Sequence, residues 1–309
     1  MFFLGTFLIV SVWATLQFGK HVSTNSILEI LVFLLVYALM HGVYILVFWL
    51  LSLPCDKTRP IEKQRRYSRT CVQSTCSFIC AYLGVRVTLR GAKKVPTKER
   101  FVLVSNHRSA IDPLIMIDKM RKLDLSFIAK PPVIGLPFLG TIMYQAGCLP
   151  IDRENDREAL KTIQAAAGYV KKGICSMGIF PEGTRNTADE LLPFHPGSFK
   201  LAQRANAPLV IACIRGTEDC KKFITDRRKT AYLDFLEVLP AEQVKKMSTQ
   251  QLSEYCRLRI QLALYTPEDE DPTIEIESVD DDEDYDDYDY EDEADEAAPE
   301  ADAKPEDQA

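Results

Sequence analysis

The sequence predicts an α/β domain with a central, largely parallel sheet flanked by helices, preceded by an N-terminal two-helix membrane hairpin. Three observations carry this. Between residues 84 and 265, short apolar runs of strand length alternate with longer segments of helical periodicity, the pattern of repeated βαβ units. Ahead of them stand two long apolar runs, 2–18 and 27–53, with a short polar turn between. After Pro267 the composition becomes acidic and loses its apolar periodicity. The expected boundaries are therefore a hairpin over 1–56, a basic juxtamembrane helix over 57–83, an α/β domain over 84–266 and a tail over 267–309.

At 1.5 Å per helical residue the first run spans about 25 Å and the second about 40 Å, against a ~30 Å hydrocarbon core. No basic segment precedes the first run, which argues against a cleaved signal peptide. Lys57, Arg59, Lys63, Arg65, Arg66 and Arg69 follow the second run at once, so the positive-inside rule puts the body, and with it the N-terminus of a hairpin, on the cytoplasmic side. His41, in the second run, suits a hydrogen bond to the partner helix better than catalysis. Residues 61–83 mix basic and apolar residues, with Val72, Cys76, Ile79 and Leu83 at helical spacing. Two readings stay open: an amphipathic helix on a membrane surface, or a helix packed on the domain.

Within the domain the expected strands are 85–89, 101–104, 125–129, 148–151, 176–180, 209–214 and 232–236. The expected helices are 114–122, 156–172, 198–205 and 241–265, with Gly173 as the stop of the second. Residues 268–309 hold 23 acidic residues and one basic, leaving 21 acidic and 36 basic in the rest. A body of net charge +15 suits anionic lipid and phosphorylated substrates; no nucleic-acid-binding motif accompanies it. A tail of net charge −22 cannot bury enough apolar surface to order itself, though its charge would let it fold back on the basic body. The nine cysteines are scattered without a CxxC pair, as in a chain of buried or free reduced thiols. No metal site is expected.

The stretch Ser105-Asn106-His107-Arg108-Ser109-Ala110-Ile111-Asp112-Pro113 carries the chemistry. It follows an apolar strand and opens a helix, where catalytic groups are held by rigid elements. His107 can move a proton near neutral pH, and Asp112, five residues on, can return to the imidazole and fix its tautomer. Asp112-Pro113 is also a good helix start, with Asp as N-cap and Pro at N1. Asn106 suits a turn-shaping role. His21 and His195 have less suggestive settings.

About seventy residues later comes Phe180-Pro181-Glu182-Gly183-Thr184-Arg185. Gly183 admits a close approach of ligand to backbone, and Arg185 offers a planar fork of donors to a phosphate. Together the two stretches resemble the signature of the glycerolipid acyltransferases, most closely the 1-acylglycerol-3-phosphate (lysophosphatidate) acyltransferases. Gly147-Cys148-Leu149-Pro150-Ile151-Asp152-Arg153 and Ala207-Pro208-Leu209-Val210-Ile211 fall in that family's order, with Ile211 where the family usually has a second proline. The resemblance covers roughly residues 80 to 240.

It implies a glycerolipid-acyltransferase-like catalytic domain. His107 would be the general base, oriented by Asp112, for transfer of an acyl group to the sn-2 hydroxyl of lysophosphatidate, giving phosphatidic acid. It implies acceptor binding by the Glu182-Gly183-Thr184-Arg185 motif, with Lys130 contacting phosphate and Arg153 also placed at the acceptor. No bound cofactor is implied; acyl-CoA or an acyl-carrier protein is the donor substrate, and membrane lipid is a partner. In this family the two-helix unit can also sit in one leaflet. Glycerol-3-phosphate or another lyso-phospholipid is an alternative acceptor. A hydrolase would need Ser109 or Ser198 as nucleophile and lacks the G-x-S-x-G elbow. A non-catalytic lipid-binding protein is opposed by the intact His107, Asp112, Glu182 and Arg185.

Overall fold

The computed structural model describes residues 26–52, 57, 59–152, 155–188, 190–219, 230–265 and 276–277. The first apolar run, 2–18, and nearly all of the acidic tail lie outside them. The second run is a single helix, α1 (Ser26–Ser52), of 27 residues. Among the described residues, no helix is long and apolar enough to cross a membrane. The side chains of Ile30, Leu31, Leu34, Leu35, Leu39, Val43, Leu46 and Leu50 on α1 are nonetheless exposed.

The domain is built on one mixed sheet of eight strands, ordered β4-β3-β5-β2-β6-β7-β1-β8. Its central block is β4 (Leu149–Pro150), β3 (Leu125–Ala129), β5 (Ser176–Ile179), β2 (Val102–Ser105) and β6 (Leu209–Arg215). These five run parallel. β7 (Thr230–Leu239) is antiparallel to β6, and β1 (Arg86–Arg90) pairs parallel with β7. Within the stretch expected to lack structure, β8 (Ile276–Glu277) pairs antiparallel with β1.

Parallel strands joined by helical crossovers are covered on both faces, and their sequences become continuously apolar. β2 shows this: all four residues are buried. Val102 and Val104 face the core beneath α6 (Asp156–Lys171), α7 (Lys200–Ala205) and α9 (Thr249–Tyr265). Phe101 and Leu103 face the opposite core with α2 (Arg66–Leu83) and α3 (Asp112–Lys119). α2 begins at Arg66, not near Ile61, and buries Ser68, Val72, Gln73, Cys76 and Cys80. Its apolar stripe is thus packed on the domain. That favours the second of the two readings.

Helix ends follow local chemistry. Asn155 accepts hydrogen bonds from the Arg157 and Glu158 amides at the start of α6, and Gly173 adopts φ 72° after its end, as expected. The helix expected over 241–265 is two. α8 (Ala241–Lys246) stops at Met247, which is extended (ψ 144°). Ser248 and Gln251 then bond each other's backbone amides as a capping box that starts α9. The hydrophobic period ran through this break and hid it. Two short helices between β3 and β4, α4 (Pro131–Ile134) and α5 (Leu139–Gln145), were not expected from that proline-rich run.

All seven described cysteines are free, and all but Cys71 are buried. Burial pushes the Cys148 thiol up to about 11 and the Cys175 thiol up to about 12. Neither supplies a thiolate nucleophile at neutral pH.

Candidate active site

The carboxyl ends of β3, β5, β2 and β6 lie along one edge of the sheet, where ligands bind in open α/β folds. His107 follows β2, Glu182 to Arg185 follow β5, Lys130 follows β3 and Thr217 follows β6. The sequence placed these side chains on separate loops; strand order gathers the loops at one edge.

Asp112 is the hub. It is fully buried in the first turn of α3. Its Oδ2 lies 2.9 Å from His107 Nδ1 and accepts the backbone amides of Arg108 and Ser109, each at 2.7 Å. Its Oδ1 accepts the Thr217 hydroxyl at 2.6 Å. The N-cap of α3 is Ile111, not Asp112. The side chain turns back onto the preceding loop, so its helix-start geometry and its contact with histidine belong to one arrangement. With Nδ1–H held by the carboxylate, Nε2 is the nitrogen left to accept a proton.

The imidazole is held by its face as well as its edge. It stacks on Phe180 at 4.1 Å between centroids and 13° between planes, and Phe180 stacks on Phe127 at 5.2 Å. Phe127 lies over Gly178, where an added Cβ would come within 2.3 Å of the ring. The His107 side chain keeps 15% of its surface exposed, enough for one edge to meet a ligand.

Glu182 does not face solvent as an acceptor-binding group would. It is buried at 4% exposure. Oε1 accepts the His107 amide at 2.9 Å, while Oε2 accepts the Leu192 amide and the Asn186 side chain. The Asn186 amide donates to the His107 carbonyl at 2.7 Å. Glu182 therefore braces the histidine loop. Gly183, at φ 73°, supplies the left-handed turn that aims this carboxylate. Its amide closes on the Phe180 carbonyl.

Thr184 and Arg185 are exposed just beyond that turn, and no described residue pairs with the Arg185 guanidinium. Lys130 is exposed at the start of α4. The carboxyl end of β3 lies two strands from β2, about 10 Å at ~4.8 Å per strand. Arg153 lies outside the described residues. Asn106 is fully buried and exchanges two hydrogen bonds with Ile214, at 2.8 and 2.9 Å, tying β2 to β6.

Sequence reasoning quoted Arg108 and Phe180 within the two motifs without giving them a role, and missed Thr217 and Phe127. Arg108 is buried, forms an ion pair with Glu218, and donates to the carbonyls of Thr187 and Ala188. Its position next to His107 was the one available signal; nothing local to Thr217 announces a partner 105 residues away.

Thr217→Val would leave Asp112 Oδ1 without its donor in a buried site, a loss of about 1–3 kcal/mol. Unfolding free energy and turnover should both fall, and Thr217→Ser should restore both. Gly178→Ala must displace Phe127 and, through Phe180, the imidazole. Turnover should drop about 10- to 100-fold with acceptor KM less affected, as steady-state kinetics would read.

The Acyltransferase family model matches residues 86–215. The chain is similar to 1-acyl-sn-glycerol-3-phosphate acyltransferase alpha from Homo sapiens, 34% identical over 159 residues, covering 51% of this chain and 55% of that protein. It is also similar to 1-acyl-sn-glycerol-3-phosphate acyltransferase from Salmonella typhimurium, 28% identical over 177 residues, covering 56% and 71%. It thus spans about half the length of its human relative. The fold matches the crystal structure of the 1-acyl-sn-glycerophosphate (LPA) acyltransferase PlsC from Thermotoga maritima, with a TM-score of 0.55 at 21% identity, over 72% of this chain and 87% of that one. Residues 86–215, somewhat less than half of the chain, thus match the Acyltransferase family model.

Proposed function

We propose that the protein transfers a fatty acyl group from an acyl-CoA or acyl-carrier-protein thioester to the sn-2 hydroxyl of 1-acyl-glycerol-3-phosphate, giving phosphatidic acid. The observation that carries this is the His107–Asp112 pair at 2.9 Å, with the exposed Arg185 on a loop bonded to the backbone of His107 itself. The relatives' printed names supply the acceptor.

In this mechanism the acceptor phosphate lies against Arg185, with Lys130 and Arg153 as further cations. His107 Nε2 takes the hydroxyl proton as the oxygen attacks the thioester carbonyl. The C–S bond breaks, the ester C–O bond forms, and the proton passes from the imidazolium to the departing thiolate. Asp112 steadies the imidazolium in between. A thiolate leaves readily, so no acyl-enzyme is needed.

α1 supports a membrane setting. A helix apolar on all sides is stable only when covered, and its exposed side chains suit lipid. The two-helix hairpin, crossing or lying in one leaflet, and a cytoplasmic orientation are parts of this proposal. Glycerol-3-phosphate or another lyso-phospholipid remains the alternative acceptor. The serine-hydrolase reading loses ground because Ser109 is buried, with its amide committed to Asp112.

The test uses purified protein in detergent with radiolabelled acyl-CoA and lysophosphatidate. His107→Ala should remove about 10²–10⁴-fold of turnover while thermal unfolding stays put; equal product from both proteins would discard the base. Arg185→Ala should raise acceptor KM by about 10- to 100-fold, from a charge-assisted bond worth ~1.5–3 kcal/mol. An unchanged KM would remove Arg185 from the phosphate site.

A further inference from the structure

We infer that the segment from Pro131 to Leu139 is a lipid-contacting lip that seats the mouth of the active site on a bilayer, apart from any anchoring by α1. Between Lys130 and the buried Gly140, Val133, Leu136, Phe138 and Leu139 are each 37–44% exposed. Pro131, Pro132 and Pro137 are exposed among them. Only Ile134 turns inward, at 4% exposure.

The segment is held in this shape. A Cβ on Gly140 would come within 2.0 Å of the Ile134 carbonyl oxygen, so the α4–α5 turn is closed tightly. Phe138 adopts φ 58°, a region that a bulky residue rarely occupies. Strain of that kind, spent on keeping an aromatic side chain at the surface, points to a use for that surface.

Two observations favour lipid as the occupant. The first is continuity with α1. That helix ends at Ser52, and Lys57 Nζ donates to the Ile134 carbonyl at 3.0 Å. Five residues reach at most about 18 Å. The chain beyond stays on this element: Tyr144 on α5 donates to the Arg59 carbonyl at 2.7 Å, and Gln64 donates to the Ala146 carbonyl at 2.6 Å. The lip is therefore tied close to the foot of the apolar helix. The second is composition. Lys57 and the exposed Lys130 flank apolar side chains, the arrangement of an element resting at the boundary of headgroups and acyl chains. Four partly exposed side chains fall well short of the ~800 Å² per partner of a standard protein interface. The lip also continues from β3 at the carboxyl edge, two strands from the strand that carries His107, where a lyso-lipid could pass from the bilayer without crossing water.

The experiment places a tryptophan at Leu136 in the full-length Trp13→Phe, Trp49→Phe chain, reconstituted into phosphatidylcholine and phosphatidylglycerol vesicles with brominated acyl chains. Lys172→Trp, on the exposed turn leading into the amino end of β5, is the reference. Quenching at 136 well above that at 172 is expected; equal quenching at both, in protein shown to be vesicle-bound, overturns the inference. A second arm uses the Val133→Ser, Leu136→Ser, Phe138→Ser chain. Its KM should rise about tenfold for acceptor presented in vesicles and stay unchanged for a short-chain acceptor below its micelle concentration. An equal change in both overturns it. This arm rests on the acyl-transfer reading, whereas quenching needs no turnover, so the two failures are distinguishable.

Discussion

A single buried carboxylate holds the candidate site together. Removing Asp112 from water would be prohibitive without compensation, and the compensation comes from two separate loops. Two backbone amides of the loop after β2, the imidazole of His107 and the hydroxyl of Thr217 beyond β6 all converge on it. Its place in the first turn of α3 adds the favourable end of the helix dipole. The ionised form is thus satisfied only when the loop, the helix and the neighbouring strand are all in place. Assembly of the site and assembly of the fold are one event at this residue.

A second layer of bonds turns separate loops into a rigid frame. Glu182 and Asn186 grip the backbone of His107 from both sides, amide and carbonyl. Arg108 reaches across to the carbonyls of Thr187 and Ala188. The motif after β5 therefore divides its labour. The glutamate faces inward and supports, the glycine turns the chain, and the arginine is left outside with its charge available. Buried members of the motif set geometry, and exposed ones can meet a ligand.

Much of this was legible in the sequence because it is local or periodic. The strand over 125–129 and the helix expected over 156–172, found as 156–171, could be placed from their apolar pattern and the stop at Gly173. His107 and Asp112 sit five residues apart on a strand-to-helix junction, and their pairing follows from that spacing. What could not be read is what depends on strand order. The contact of Thr217 with Asp112 joins residues 105 apart, and the Phe127–Phe180–His107 stack draws on β3, β5 and β2. The inward turn of Glu182 onto the His107 amide depends on strand order in the same way, since it joins the loop after β5 to the loop after β2. The break at Met247 was hidden by an uninterrupted apolar period, although Ser248 and Gln251 carried its signature. The helices α4 and α5 were lost among prolines that mark turns more often than helix starts.

In the proposed acyl transfer, the aromatic stack beneath His107 would bear on regioselectivity. With one edge bound to Asp112 and one face against Phe180, the imidazole is held from two sides, which fixes the direction in which Nε2 is presented. A polyol offered to it must bring the correct hydroxyl to that nitrogen. Which oxygen is acylated then becomes a matter of length between the anchored end of the substrate and Nε2. Selection among neighbouring hydroxyls would in this sense be a measurement, with the glycerol backbone of the proposed acceptor as the ruler and the Arg185 loop, bonded to the histidine's own backbone, as its zero mark.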